Sequence, residues 1–413
     1  MARSATPGPT LAEFEAAREV VARVAQQTPV EPSRNLTSIL GSEVVLKCEN
    51  LQRTGSYKLR GAYNFMASLT PAQRKKGVVA ASAGNHAQGV ALAAKELGIK
   101  ATIFMPVGVA LPKLEATQGY GAKVVLEGLI FNESLKAAQA FARKTGAIFV
   151  PPFDDNRIIV GQGTLGLDIL DDVPDVDTII VPIGGGGLIS GLASAVKQKA
   201  ATLGRKVRII GVQAENAAAY PPSLKAGKPV KVAVHPTISD GIAVATPGKT
   251  NFPLVQHFVD EVVTVSDDST ARALVLLLER AKLVVEPAGA VGVAAILEGK
   301  IKHPGKTVAL LSGGNIDPML MQRIVAHGLA ASERYLKLRI MLPDRPGQLA
   351  VTSALVAEAN ANVVEVVHTR HGKFQINEAE LELHIETRGH EHRQAVVKKL
   401  RDAGYTVREV TDI

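Results

Sequence analysis

The sequence lacks tryptophan altogether and has one cysteine among its 413 residues. A single cysteine excludes an intrachain disulfide and a thiolate metal cluster built from one chain, and it suits a reducing cytosol. Cys48 ends a short apolar run, so a buried structural thiol is favoured over a nucleophile. No apolar stretch reaches the ~18 to 20 residues that a transmembrane helix needs. We therefore expect a cytoplasmic protein without a membrane span.

Aromatic residues are also scarce, at 4% of the chain, whereas hydrophobic residues make up 46% and charged residues 21%. Such a composition predicts a core of Ala, Val, Leu and Ile. The net charge is +8, but the basic residues are scattered and no basic tract is interleaved with aromatics. Nucleic acid is therefore not an expected partner. The length predicts two or three domains.

Short apolar runs alternate with helical patterns along most of the chain. The runs cover residues 44–46, 78–80, 103–105, 124–126, 148–150, 179–181, 209–211 and 308–311, and the helical patterns include 10–25, 87–97, 134–144, 188–199 and 269–282. Short strands that are buried on both faces and alternate with helices are typical of parallel sheets with crossover helices. The predicted class is α/β, with open, doubly wound sheets.

The character of the sequence changes near residues 331–334. Strands with alternating polarity are predicted at 335–342, 363–369, 379–385 and 405–410, with helices ending near 359 and spanning 390–403. The order βαββαβ predicts a ferredoxin-like module of about eighty residues with antiparallel pairing. We place the linker at roughly 328–335.

Lys58 lies among small residues, in Thr54-Gly55-Ser56-Tyr57-Lys58-Leu59-Arg60-Gly61-Ala62. Most lysines are simply solvated. Here the small neighbours predict a loop that a flat ligand can approach closely. A lysine that forms a Schiff base with an aldehyde must lose its proton, and partial burial lowers its pKa.

Four consecutive glycines, Gly184, Gly185, Gly186 and Gly187, join a predicted strand to a helix that starts near Leu188. Successive backbone N–H groups at a helix N-terminus favour a phosphate. The alternative is a flexible turn, although four glycines exceed what a turn needs. A dinucleotide fingerprint fits poorly, and a P-loop is excluded because no Gly-Lys-Ser/Thr follows.

Two further turns also follow predicted strands. Ser82-Ala83-Gly84-Asn85-His86 opens a helix, whose N–H groups suit a carboxylate, or it is an N-cap without a ligand. Ser312-Gly313-Gly314-Asn315 ends the strand at 308–311. The carboxyl ends of parallel strands face the ligand crevice, so we expect these turns to converge with the four glycines. Glu286 either complements a helix dipole or borders the ligand.

Metal ligation is weakly supported, because the histidines are dispersed or lie in the C-terminal module. His86 is a candidate general base, but its place at the start of a helix favours a structural hydrogen bond.

In these motifs the sequence resembles the fold-type II (tryptophan synthase β-like) pyridoxal-phosphate enzymes, and specifically the threonine ammonia-lyase family with a C-terminal ACT domain. The motifs run in order along nearly the whole chain and are Ser56-Tyr57-Lys58-Leu59-Arg60-Gly61-Ala62, Ser82-Ala83-Gly84-Asn85-His86-Ala87-Gln88-Gly89, Gly161-Gln162-Gly163-Thr164, Gly184-Gly185-Gly186-Gly187-Leu188, Glu286-Pro287-Ala288-Gly289 and Ser312-Gly313-Gly314-Asn315.

The resemblance implies pyridoxal 5'-phosphate as cofactor and L-threonine or L-serine as substrate. It implies a catalytic region at 1–330, in which a smaller domain at about 51–145 is inserted into a larger one at 1–50 and 146–330, and an ACT domain at 335–413. The implied roles are cofactor attachment and catalysis for Lys58; bonding to the cofactor's 3-hydroxyl for Asn85; phosphate binding for Gly184, Gly185, Gly186, Gly187 and Leu188; bonding to the ring nitrogen for Ser312; and substrate-carboxylate binding for Ser82, Ala83, Gly84, Asn85 and His86.

Two departures separate the sequence from the similar serine racemases. Ala83 stands where those enzymes carry a serine that acts as a base on the opposite face of the ring, so racemisation is expected to be weak. Gln213 and Ala219 stand where racemase-like sites have acidic metal ligands, so no essential divalent cation is expected there.

Two alternatives remain open from the sequence. One is a related lyase or racemase acting on serine or 3-hydroxyaspartate, and the other is a non-catalytic amino-acid sensor. The resemblance further implies a homo-oligomer, a dimer or tetramer, with isoleucine or valine as the expected effector at the ACT domain. A purely structural role of that module in oligomerisation is the alternative.

Overall fold

The computed structural model describes residues 8–370 and 377–410. It divides into two compact units, Met1–Pro318 and Met319–Ile413. Within the described residues, no helix is both long and apolar enough to cross a membrane.

The first unit contains two sheets. The strands of the larger sheet are β1 (Val30–Pro32), β2 (Val44–Cys48), β7 (Thr178–Pro182), β8 (Arg208–Ala214), β9 (Glu261–Val265) and β10 (Thr307–Leu311), and those of the smaller sheet are β3 (Val78–Ala81), β4 (Ala101–Met105), β5 (Lys123–Leu126) and β6 (Ile148–Phe149). The larger sheet has the order β1-β2-β10-β7-β8-β9 and the smaller one β5-β4-β3-β6. All pairs are parallel except β1 with β2.

Helices separate these strands. Those of the first unit are α1 (Leu11–Val21), α2 (Arg34–Leu40), α3 (Lys58–Ala67), α4 (Pro71–Lys76), α5 (Asn85–Glu96), α6 (Leu111–Gly119), α7 (Phe131–Thr145), α8 (Asn156–Asp172), α9 (Gly187–Thr202), α10 (Tyr220–Ala226), α11 (Asn251–Phe258), α12 (Asp267–Leu276), which continues as a π-helix over Leu277–Ala281, and α13 (Pro287–Leu297). Strands β2, β3, β7 and β10 are buried along their whole length, as expected for parallel strands covered on both faces. The predicted α/β class with parallel sheets is confirmed.

The second unit is antiparallel. Its elements are α14 (Pro318–Ala331), β11 (Tyr335–Pro343), α15 (Gln348–Glu358), β12 (Asn362–Thr369), β13 (Glu378–Glu386), α16 (His390–Asp402) and β14 (Thr406–Glu409). The sheet order is β12-β13-β11-β14. The β11 and β13 side chains alternate between buried and exposed positions, so one face carries the core. This is the predicted βαββαβ arrangement.

The structure differs from the predicted elements in places. Helix α1 ends at Val21 rather than near residue 25. The Arg23 N–H bonds to the Val20 carbonyl at 3.3 Å and the Val24 N–H to the Val21 carbonyl at 3.0 Å, which are 3₁₀-type bonds that tighten the last turn. Helix α14 extends into the stretch expected to be a linker, and the units divide at Pro318. Cys48 is buried in β2, and burial raises the pKa of its thiol to about 12, so it does not supply a thiolate at neutral pH.

Candidate active site

Lys58 is the first residue of α3, so the expectation of a loop lysine is wrong: the loop ends at Tyr57, and Gly61 and Ala62 belong to the helix. Its Nζ donates a hydrogen bond to the Pro152 carbonyl at 3.0 Å. Burial lowers the pKa of the Lys58 ammonium to about 8, and the nearby Glu286 carboxyl opposes that shift. A substantial fraction of this amine is therefore unprotonated in mildly alkaline solution, as a nucleophilic lysine requires.

The segment before Lys58 pairs with the turn after β10. Ser56 forms an antiparallel bridge with Gly313, and the Tyr57 N–H donates to the Ser312 carbonyl at 3.1 Å. The Gly314 N–H donates in return to the Gly55 carbonyl at 2.8 Å. These backbone bonds fix Lys58 and Ser312, which are 254 positions apart in the sequence, beside each other.

Asn85 joins the same cluster from the start of α5. Its Oδ1 accepts a hydrogen bond from Asn315 Nδ2 at 2.8 Å, and its Nδ2 donates to Glu286 Oε1 at 2.6 Å. These two bonds orient the Asn85 amide and leave one of its N–H groups for a ligand. Gly313 lies against both groups, because a Cβ there would collide with Glu286 Oε1 and stand 3.1 Å from Asn85 Nδ2.

The four-glycine turn adopts a shape that side chains would prevent. Gly186 has a φ of +105°, in the left-handed region, and a Cβ there would collide with the Tyr220 hydroxyl. Gly185 and Gly187 pack against the Phe153 side chain and backbone. Phe153 directly follows Pro152, the residue whose carbonyl accepts the Lys58 hydrogen bond. The four-glycine turn and Lys58 therefore both contact the two-residue segment Pro152-Phe153.

The residues at this turn fit a bound phosphate. The N–H groups of Gly184, Gly185 and Gly186 donate to no protein acceptor within 8–370 and 377–410, although Gly185 and Gly186 are buried. The N–H groups of the first turn of α9 follow directly and also lack helical partners. Buried amides that converge at a helix N-terminus make an anion site. Ser312 is nearly fully buried, and its hydroxyl has no hydrogen-bond partner in the described part of the chain. This suits a ring nitrogen.

The turn at 82–86 lies at the carboxyl end of β3, with Gly84 as the N-cap of α5. The Gly84 N–H donates to Ser82 Oγ at 3.1 Å. The His86 ring is buried, and its Nε2 donates to the Val150 carbonyl at 3.0 Å. Burial lowers the pKa of His86 to about 3, helped by the Lys58 charge, so the ring is neutral. The backbone N–H of His86 is thus the group that a carboxylate could bind. The His86 ring instead makes a structural hydrogen bond to the Val150 carbonyl.

Sequence reasoning missed several residues that shape the site. Phe153 and Tyr220 hold the four-glycine turn, and no motif marked either. Glu286 was left between two interpretations, and the structure places its carboxylate on Asn85. Burial raises the pKa of Glu286 to about 7, an effect that the bond from Asn85 opposes. The one sequence feature that marked Glu286 was its position at the start of a helix, directly after three apolar residues, 283–285.

Behind α3 lies a buried ionic network that the sequence did not reveal. Arg60 donates to Glu49 Oε2 at 2.8 Å and Oε1 at 2.9 Å, and to Asp168 Oδ2 at 2.6 Å. Arg60 is 2% exposed and the Glu49 side chain is fully buried. The network ties the helix that begins with Lys58 to the segment after β2 and to α8. Asp168 is a partner of both Arg60 and Arg18.

The metal-site expectation concerned Gln213 and Ala219. Gln213 is buried, and its Oε1 accepts from the Tyr220 N–H at 2.8 Å. Among the described residues, no cluster of three or more His, Cys, Asp or Glu side chains is arranged to hold a metal ion.

Comparison with known proteins agrees with this geometry. A family model described as pyridoxal-phosphate dependent enzyme matches residues 21–313. The chain belongs to this family. The chain is 47% identical over 403 residues to L-threonine ammonia-lyase of Thermotoga maritima. The aligned residues cover 97% of this chain and 99% of that protein.

Solved structures give the same result for the fold. The processed form of threonine deaminase isoform 2 from Solanum lycopersicum matches with a TM-score of 0.72 and 37% identity, over 78% of this chain and 95% of that one. Maize serine racemase matches with a TM-score of 0.72 and 35% identity, over 76% and 96%. The predicted fold type and the predicted cofactor, pyridoxal phosphate, are confirmed.

Proposed function

We propose that this enzyme is a threonine ammonia-lyase that converts L-threonine to 2-oxobutanoate and ammonia, and L-serine to pyruvate and ammonia, by α,β-elimination. The observation that carries the proposal is the meeting of Lys58, Asn85 and Ser312 beside a turn with unpaired, buried amides. The near full-length similarity to an L-threonine ammonia-lyase supports the choice of substrate.

The proposed roles follow from the contacts. Gly184, Gly185, Gly186, Gly187 and Leu188 would hold the cofactor phosphate through backbone N–H groups. Asn85 would meet the 3-hydroxyl, and Ser312 the ring nitrogen. Ser82, Ala83, Gly84, Asn85 and His86 would receive the substrate carboxylate. When bound, pyridoxal phosphate would supply the sink for the electrons left by the departing α-proton.

Lys58 would hold the cofactor, and its amine would take the α-proton of the substrate. A pKa of about 8 suits this exchange of protons near neutral pH. Ser312 offers a neutral hydroxyl rather than a carboxylate, so it does not keep a proton on the ring nitrogen. A neutral Ser312 at that atom would favour elimination of the β-hydroxyl.

A serine racemase is the second candidate, because the maize enzyme is similar in fold and sequence. Ala83 argues against it, since its methyl side chain cannot deliver a proton to the face opposite Lys58. Racemisation of serine should therefore be slow relative to elimination.

The remaining assignments belong to the same proposal. We assign 1–330 as the catalytic region, with its smaller domain at about 51–145, and 335–413 as an ACT regulatory domain. The antiparallel βαββαβ sheet of the second unit supports the latter. Isoleucine or valine would be the effector, and the protein would act as a cytoplasmic dimer or tetramer.

The test is an assay of the purified holoenzyme with L-threonine, L-serine and D-serine. We expect 2-oxobutanoate from L-threonine, and inhibition or activation by isoleucine or valine if the ACT assignment holds. Lys58→Ala should lower turnover at least about a thousandfold with an unchanged circular dichroism spectrum. Racemised serine in excess of pyruvate would favour the racemase, and a protein without turnover of any of the three would contradict both.

A further inference from the structure

Lys113 stands beside the turn at 82–86. It is in the first turn of α6, a helix that packs against α5 and β5 of the smaller sheet. Its Nζ stands 3.9 Å from the point where a Cβ on Gly84 would be. Lys113 therefore brings a positive charge to the turn proposed to receive the substrate carboxylate.

The Lys113 ammonium has unused donors. It makes no hydrogen bond within the described part of the chain, and its one ion-pair partner is Asp240, at 3.9 Å. That distance is too long for a hydrogen bond. The Asp240 side chain is 69% exposed, so the pair is weak. A lysine in the first turn of a helix also opposes the helix dipole, so its position does not serve the stability of α6.

Asp240 comes from the larger-sheet part of the first unit. It begins the short 3₁₀ turn Asp240–Ile242, and a Cβ on the next residue, Gly241, would stand 3.0 Å from the Ala288 side chain and 4.0 Å from Glu286 Oε1. The Lys113–Asp240 pair thus joins the smaller-sheet and larger-sheet parts of the first unit across what we call the cleft, and the Asn85–Glu286 hydrogen bond also joins these two parts. The charges of both Lys113 and Asp240 influence the pKa of Glu286, which places all three groups in one electrostatic neighbourhood.

We propose that Lys113 binds the carboxylate of the amino-acid substrate, and that Asp240 holds the ammonium across the cleft until a substrate carboxylate displaces it. The inference rests on the proposed function in that the ligand is an L-amino acid. A carboxylate bound by the amides of the 82–86 turn would lie beside Lys113 Nζ, and it would offer direct hydrogen bonds in place of the loose pair with Asp240. The substrate would then link the smaller-sheet and larger-sheet sides of the cleft.

The test compares two ligands on the intact holoenzyme by isothermal titration calorimetry. L-Alanine has the carboxylate but no β-hydroxyl to eliminate, and L-alaninamide lacks the carboxylate. Lys113→Gln should weaken L-alanine binding about tenfold to a hundredfold, as expected for the loss of one charged hydrogen bond. Its affinity for L-alaninamide should stay within about twofold of the wild type. Lys113→Arg should restore most of the L-alanine affinity.

Lys123→Gln is the matched control. Lys123 is exposed and begins β5, at the end of the smaller sheet opposite to the cleft. Lys123→Gln should leave the affinities for L-alanine and L-alaninamide unchanged. In steady-state assays, Lys113→Gln should raise the KM for L-threonine by a factor similar to its effect on L-alanine, with kcat changed less than about threefold. Asp240→Asn should lower the KM, because Lys113 loses its competing partner.

The inference is overturned if Lys113→Gln binds L-alanine as the wild type does, or if it weakens L-alanine and L-alaninamide equally. The calorimetric arm does not depend on turnover. If the wild type forms no 2-oxobutanoate yet binds L-alanine more tightly than Lys113→Gln, the proposed function fails while the role of Lys113 stands.

Discussion

The Lys58 ammonium and the Glu286 carboxyl share one buried neighbourhood, and burial moves their pKa values in opposite directions. Burial lowers the pKa of Lys58 to about 8 and raises that of Glu286 to about 7. Each charge partly offsets the shift of the other, because each stabilises the ionised form of its neighbour. The site therefore contains an amine and a carboxyl that both titrate near neutral pH, and the carboxyl accepts a hydrogen bond from Asn85.

Glu286 should make the stability of the apoprotein depend on pH. Its pKa is about 7 in the folded state, against an ordinary value of 4.5 for the unfolded chain, so it contributes stability below pH 4.5 that is lost as the pH rises toward 7. The full contribution is on the order of 3 kcal/mol. Glu286→Gln should remove it while its amide oxygen still accepts from Asn85. Urea unfolding of the apoprotein at pH 5 and pH 8 measures the difference.

Glu115→Gln, at an exposed position on α6, is the control and should keep the wild-type pH dependence. A Glu286→Gln variant whose unfolding free energy falls between pH 5 and pH 8 as steeply as that of the control would show that the buried carboxyl does not titrate in this range.

At the scale of elements, helix α9 is flanked by two glycines in left-handed conformations. Gly186 precedes it with a φ of +105°, and Gly204 follows it with a φ of +66°. The surroundings differ: a Cβ on Gly186 would meet Tyr220, whereas one on Gly204 would meet no atom within 4 Å. The shape of the four-glycine turn thus depends on a tertiary contact as well as on backbone freedom.

Gly186→Ala should raise the dissociation constant of pyridoxal phosphate at least about tenfold, because the turn must move away from Tyr220 and its amides lose their alignment. Gly204→Ala should have the same backbone strain of about 1–2 kcal/mol and leave cofactor affinity unchanged. Fluorescence titration of both apoproteins with the cofactor makes the comparison. Equal affinities in the two variants would mean that the turn does not hold the phosphate.

Helix α3 depends on the network behind it. Arg60→Leu would leave the Glu49 carboxylate buried without its main partner, which costs about 3–5 kcal/mol of unfolding free energy. Arg18→Leu removes a member of the same network whose side chain is 37% exposed, and it should cost less than about 1 kcal/mol. Urea denaturation of the two variants tests this, and similar losses would contradict the importance of burial here.

Local sequence patterns predicted most of these elements, for identifiable reasons. Strands β3, β7 and β10 are almost continuous apolar runs, as burial on both faces requires, and β2 has the apolar run Val44–Leu46 before the buried Lys47, which pairs with Asp172. The three-residue edge strand β1 contains a proline, and β9 is only partly buried, so neither has such a run. The helical start at Lys58 was missed because Gly61 and the preceding small residues weaken the helical pattern.

The site was predictable where it follows from topology. Ser82, Gly184 and Ser312 each follow a parallel strand, so the rule for carboxyl ends of strands brings them to one crevice. Glu286, Phe153, Tyr220 and the Arg60 network act through contacts between residues far apart in the chain, which no local pattern encodes. The pKa values of Lys58 and Glu286 likewise depend on burial, and thus on the complete fold.

At the scale of the whole molecule, the first unit places two parallel sheets so that loops from both meet at Lys58. The 82–86 turn follows strand β3 of the smaller sheet. The four-glycine turn follows β7 of the larger sheet, and Ser312 follows β10 of the same sheet. A cofactor held as proposed would therefore contact loops that follow strands of both sheets. The second unit adds an antiparallel sheet with its own core.

The attachment of pyridoxal phosphate to Lys58 is the claim on which the proposed chemistry depends. Borohydride reduction of the holoenzyme, followed by proteolysis and mass spectrometry, locates the lysine that carries the cofactor. We predict one phosphopyridoxyl group per chain, on the peptide that contains Lys58. A group on another lysine, or a holoenzyme with no modified lysine, would contradict the account.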